Sequence, residues 1–130
     1  MQKYFLKWGA WAAALAVVLG AFGAHALKGI FLPEDLQVFE TGVRYQFYHA
    51  LALIFAGILY KEFPGIKLIW SGRLFIAGII LFSGSLYALV CCQYYFHSVR
   101  WIGAITPVGG LAFIAGWISM AWAITGKAGD

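Results

Sequence analysis

Four apolar runs, near residues 5–27, 43–60, 69–93 and 103–125, constrain this chain more than anything else in it. Each is long enough to cross a bilayer, because about 20 helical residues at 1.5 Å each span a hydrocarbon core of ~30 Å. In hydrocarbon a single segment satisfies its backbone groups only as a helix. The expected fold is therefore all-α, a four-transmembrane-helix bundle with short polar turns. Composition agrees: 63% of residues are hydrophobic and 11% are charged, against about 25% charged in a typical soluble domain. The 130 residues are read as one integral membrane domain, with no room for a soluble catalytic domain beside it.

The first run also imitates a signal peptide. Lys3 and Lys7 precede an apolar stretch that ends in Ala24-His25-Ala26. That stretch is long for the core of a cleaved signal, so it is read as a retained span.

The net charge of +4 does not make a nucleic-acid surface. The basic residues stand singly at the edges of the apolar runs, as membrane-flanking charges do. Lys3, Lys7, Lys61, Lys67, Arg73 and Lys127 fall on one side, and Lys28, Arg44 and Arg100 on the other. The bias toward the first side predicts cytoplasmic N- and C-termini. Between the first two spans, Pro33, Glu34 and Asp35 suit a helix start. Leu36, Phe39 and Val43 continue it at helical spacing. This predicts a short amphipathic interfacial helix, running toward the second span with Gly42 as the natural bend.

Small residues supply the packing surfaces. Gly9, Ala13, Ala16, Gly20 and Gly23 form one stripe, and Gly109, Ala112, Gly116, Ser119 and Ala123 another. Lipid gives no hydrophobic drive between helices, so the first and fourth spans are expected to pack through these stripes. Trp8, Trp11, Tyr60, Trp70, Tyr94, Tyr95, Trp101 and Trp122 lie near span ends, as interfacial aromatics do.

Chemistry concentrates in Phe39 to His49, at the entrance of the second span. Polar groups are costly in hydrocarbon and usually face protein or water. Gly42, Tyr45, Gln46 and His49 share one helical face, while Glu40 and Arg44, spaced i,i+4, lie opposite and can pair. The functional reading is a pocket near the outer leaflet, with Arg44 as an anion clamp and His49 as a proton or metal group. The plainer reading makes the same residues interfacial ion pairs and interhelical hydrogen-bonders. His49 is expected to be neutral, hydrogen-bonded and pointed into the bundle, toward Thr106-Pro107 or the Ser83 to Tyr87 turn. His25, taken to lie at similar depth, offers a haem or copper pair with His49, and His97 is read as surface. Ser83 and Ser85 flank Gly84 one turn before Tyr87, allowing close packing and back-bonding without a base to activate a nucleophile. Thr106 before Pro107 reads as a helix N-cap with free amides beyond it. Cys91 and Cys92 are adjacent, match no metal or redox spacing, and read as soft packing.

Gly20-Ala21-Phe22-Gly23-Ala24-His25, Thr41-Gly42-x-x-Tyr45-Gln46-x-x-His49, Leu81-Phe82-Ser83-Gly84-Ser85-Leu86-Tyr87 and Thr106-Pro107-Val108-Gly109-Gly110 follow one another in this order. Together they resemble the YgdD/YwdK-type family of small bacterial inner-membrane proteins, a domain of unknown function with a short four-span relative in animals. The resemblance covers nearly the whole chain. It implies a four-helix protein of the cell inner membrane and brings no activity with it. Arg44 falls where relatives carry other residues, so the motif residues carry the likeness.

The sequence thus predicts a non-enzymatic accessory or binding protein with no cofactor and no metal. The candidate ligand-binding residues are His25, Glu40, Arg44, Tyr45, Gln46, His49, Ser83, Ser85, Tyr87 and Thr106. Membrane lipids are the expected partners, followed by another membrane protein or a homo-oligomer, with no nucleic acid. The rival readings are a membrane transferase taking an anionic thiol substrate, a transporter subunit, and a di-histidine haem or copper protein. A small multidrug-type transporter would need a titratable acid within a span, and residues 5–33 and 63–129 hold none.

Overall fold

The computed structural model describes residues 1–96 and 100–126, and these fold as helices and turns without strands. Helix α1 (Gln2–His25) is built from Ala- and Leu-rich sequence of high helical propensity. Helix α2 (Pro33–Leu59) starts as the sequence signals, with Pro33 in its first turn, Glu34 and Asp35 at the positive end of the dipole, and Leu32 extended before it. Helix α3 (Ile66–Gly78) follows a tight turn through Pro64 and Gly65. It runs through a π-helical segment, Ile79–Ser83, into α4 (Gly84–Phe96), so the three pieces form one rod. In the π segment the Gly84 N–H reaches back five residues to the Ile79 carbonyl. A short α5 (Arg100–Gly103) leads into α6 (Ile105–Thr125).

Three stretches, Gln2–His25, Ile66–Gln93 and Trp101–Thr125, are long and apolar enough to cross a membrane. Helix α2 is as long, at 27 residues. Its first two thirds carry Glu34, Asp35, Glu40, Arg44, Gln46 and His49, which lower its hydropathy.

The amphipathic Pro33 segment is not a separate helix. It forms the first turns of α2 and passes through Gly42 unbroken. Gly42 instead allows close approach: a Cβ there would lie 2.8 Å from the Tyr87 ring.

The small-residue stripes also find other partners than expected. Helix α1 packs antiparallel on α2, with Gly23 under Phe39, Gly20 under Val43 and Gly9 against Ala50 and Ile54. Helix α6 packs on the third rod, with Gly116 under Phe75 and Gly109 against the backbone of Leu81 and Phe82. The first and fourth stripes therefore close two hairpins, and α2 joins them by lying along α3, the π segment and α4. The core between the hairpins is Phe5, Leu53, Leu68, Phe75, Phe113 and Met120. Phe5 is 0% exposed and lies over Gly72, whose missing side chain makes the room.

Candidate functional site

The polar residues of α2 face the other helices at several levels. Deepest in the packing is Gln46, 2% exposed. Its amide nitrogen donates to the Ala12 carbonyl of α1 at 2.8 Å, and its oxygen accepts from the Tyr87 hydroxyl of α4 at 2.7 Å. One side chain thus ties three rods. One turn earlier, the Ser83 hydroxyl of the π segment donates to the Gly42 carbonyl at 2.7 Å. That bond uses the close approach made possible by Gly42.

His49 points into the helix assembly, but toward the middle of α6 and not toward Thr106 or the Ser83 to Tyr87 turn. Its ring stacks on Phe113 with centroids 3.5 Å apart. Nδ1 lies 2.7 Å from the Tyr45 carbonyl, an acceptor, and Nε2 lies 3.1 Å from the Trp117 indole N–H, a donor. One state serves both partners: a neutral imidazole carrying its proton on Nδ1. The expected neutral, hydrogen-bonded His49 is what this geometry accommodates, with different partners.

His25 does not share its level. Gly9 of α1 meets Ala50 of α2, so His49 lies beside the N-terminal third of α1, about 24 Å along the helix axis from His25. His25 is exposed at the far end, so the haem or copper pair does not form. Among the described residues no group of three His, Cys, Asp or Glu side chains is placed to hold a metal. His97 lies outside the described residues.

Two further expectations are corrected. The Glu40–Arg44 pair is not made, because Arg44 turns to the Thr41 hydroxyl at 3.4 Å. Thr106 does not cap α6: Ala104 holds that place in helical conformation, with no side-chain cap bond. Thr106 instead shares a 2.6 Å hydrogen bond with Ser85, which also back-bonds to the Phe82 carbonyl. The α5 turn runs almost directly into α6, so the free amides expected beyond Thr106 do not stand at a helix start.

Sequence reasoning missed other members of this set. Ser71 donates to the Gly116 carbonyl at 2.8 Å, and Ser119 to the Lys67 carbonyl at 2.6 Å. Trp117 was findable, since an indole in mid-span needs an acceptor for its N–H. Among the described residues no buried side-chain polar atom lacks a partner. With those atoms committed, the cluster offers hydrogen-bonded cross-ties and no activated nucleophile.

Beside Gln46 and Tyr87 lies a groove of about 700 Å³ between α1 and the third rod. Trp8, Trp11 and Leu15 form one wall and Ile79, Ile80 and Gly84 the other, with Gln46 and Tyr87 at the floor. A smaller hollow of about 300 Å³ extends it toward Tyr4 and Leu53 along the same two walls. Arg44 borders a different groove, between α1 and α2. The one pocket expected from sequence is therefore split between two faces.

Residues 19–110 match the family model described as a protein of unknown function (DUF423). The UPF0382 membrane protein YwdK of Bacillus subtilis is 49% identical over 118 residues, covering 90% of this chain and 92% of that one. A UPF0382 membrane protein of Staphylococcus aureus is 45% identical over 92% of this chain and 93% of its own. Another from Staphylococcus epidermidis is 42% identical over 98% of this chain and all of its own. No solved structure matches. With the model covering most of the chain and relatives aligned nearly end to end, this chain belongs to the DUF423/UPF0382 family of membrane proteins.

Proposed function

We propose that this protein is a non-catalytic, four-span protein of the cell inner membrane that holds one amphiphile in the groove between α1 and the third rod. The carrying observation is the groove itself: apolar walls open to the side, over a floor of Gln46 and Tyr87. The polar cross-ties fix that floor by hydrogen bonds on three sides and leave it little freedom to collapse. An apolar body with one polar group is the ligand chemistry such a site suits. The Tyr87 hydroxyl donates to Gln46, so its oxygen can still accept a bond from a ligand hydroxyl or amine.

All four rods are taken to span. Helix α2 lies antiparallel to α1 over its length, and its polar side chains Gln46 and His49 face protein and not lipid. Its first turns, with Glu34 and Asp35, then stand at the outer surface, which keeps the interfacial role assigned to that segment. Four spans bring the two termini to one side, and the basic residues make that side cytoplasmic. The transferase reading needs Arg44 and Tyr45 at one centre. Arg44 instead borders its own groove, while Tyr45 lies against Phe82 and His49.

Native mass spectrometry of protein released from membranes tests the proposal, using the Gly84→Phe variant. A Cβ at Gly84 would meet nothing closer than the Ile79 carbonyl at 4.0 Å, so a large side chain there fills the groove without breaking the packing. The wild type should carry an amphiphile-sized mass that Gly84→Phe loses while still melting cooperatively. Equal retention by both proteins, or none by the wild type, overturns the reading.

A further inference from the structure

The second groove runs along the other side of the α1–α2 hairpin. It encloses about 290 Å³ between Ala16, Val17 and Gly20 of α1 and Val43, Phe47 and Tyr48 of α2, with Arg44 at its edge. Everything lining it is apolar or aromatic except one cation and one phenol. The Arg44 guanidinium makes a single 3.4 Å contact with the Thr41 hydroxyl, and among the described residues no carboxylate neutralises it. Its neighbour Glu40, one turn earlier, is exposed and left unpaired with it.

The depth of Arg44 makes this arrangement informative. Val43 lies against Gly20, so Arg44 sits at the level of a residue five places before the end of α1. That is about 8 Å below the helix end, within reach of the interface for an extended arginine. An arginine at this level without a protein counter-ion is costly in hydrocarbon and is stabilised by an anion brought from outside. Tyr48, 54% exposed, is one turn deeper on the same side.

We propose that Arg44 and the groove beneath it form a site for an anionic phospholipid, the phosphate held by the guanidinium and one acyl chain lying along Val17, Phe47 and Tyr48. A planar guanidinium matches phosphate oxygens bidentately. The groove continues from Arg44 toward the middle of the helices, the direction a chain takes from its headgroup. This site is independent of the Gln46–Tyr87 groove, which lies on another face and can fail or stand separately.

The test is native mass spectrometry of purified protein in a zwitterionic detergent doped with equal amounts of phosphatidylglycerol and phosphatidylcholine. A single interfacial cation predicts a preference of about fivefold for the anionic lipid. Arg44→Gln should bring the ratio to about one, and Arg44→Lys should keep part of it. Val17→Trp, on a lipid-facing wall position, should lower retention of phosphatidylglycerol while leaving Arg44 in place. Gly84→Phe should not change the ratio. The proposal is overturned if Arg44→Gln keeps the preference, or if Val17→Trp leaves retention untouched. It is equally overturned if inorganic phosphate without lipid binds as well as phosphatidylglycerol, since that would make the site a bare anion clamp. Both positions are exposed, so matching melting curves will show that the variants are folded.

Discussion

Gly109→Ala adds one methyl group where α6 crosses directly over the backbone of the π segment. That methyl would run into the Phe82 backbone nitrogen and lie 2.7 Å from the Leu81 carbonyl carbon and the Phe82 Cα. Backbone atoms cannot rotate aside as a side chain can, so α6 must retreat by about 1 Å to reach ordinary contact. Thr106 lies one turn before Gly109 on the same face, so the retreat also stretches its 2.6 Å bond to Ser85. Overpacking costs about 1–3 kcal/mol, and a hydrogen bond between membrane helices contributes about 0.6 kcal/mol. The expected loss is about 2–3 kcal/mol, or roughly 6–12 °C in melting temperature for a chain of this size. Gly84→Ala is the control, because its methyl meets only the Ile79 carbonyl at 4.0 Å and should gain up to ~1 kcal/mol in helix propensity. Circular dichroism melts in detergent compare the two. If Gly109→Ala melts with the wild type or with Gly84→Ala, α6 does not lie on the backbone of the π segment and the packing described for that hairpin is wrong.

Three other outcomes follow from the same geometry. Gln46→Leu and Tyr87→Phe should each lower the melting temperature and be non-additive by about 0.6 kcal/mol, since they share one bond; strict additivity in the double mutant would show that the bond is not made. Gly116→Leu should destabilise more than Gly20→Leu, because a Cβ at Gly116 lies 2.8 Å from the Phe75 ring while one at Gly20 lies 3.3 Å from the yielding Val43 methyl; the reverse order would place the α1 stripe at the tighter crossing. Reporter fusions after residue 126 and in the turn near Lys28 should read cytoplasmic and external respectively; an external C-terminus would overturn the orientation, and the same side for both would remove the four-span arrangement.

The sequence carried the helices better than their partners. Apolar length and the Pro33 start located the rods because both signals are local to one segment. The glycine stripes marked where backbones would approach, but a stripe does not say which helix covers it. Gly20 lies under Val43 and Gly116 under Phe75, contacts set by chain topology. Thr106 was misread as a cap because its hydroxyl is taken by Ser85, 21 residues away in sequence. The same holds for Ser83, whose carbonyl partner Gly42 lies on another rod. His49 was assigned too shallow a level because its depth was counted from the start of the apolar run, whereas α2 begins at Pro33. Of the candidate residues, Gln46, His49, Ser83, Ser85, Tyr87 and Thr106 entered the cross-ties. Arg44 went to another groove, Glu40 and His25 remained exposed, and Tyr45 packed by its ring against Phe82. The π segment had no local signal beyond the glycines at its borders.

An experimental structure in lipid nanodiscs, determined without added ligand, addresses the central claim directly. The account predicts elongated density between Trp8, Trp11, Ile79 and Ile80, ending in a polar group within hydrogen-bonding distance of the Tyr87 hydroxyl. A structure in which α1 closes on the third rod and leaves no such groove, or in which the groove holds only the mobile chains of bulk lipid, would contradict it.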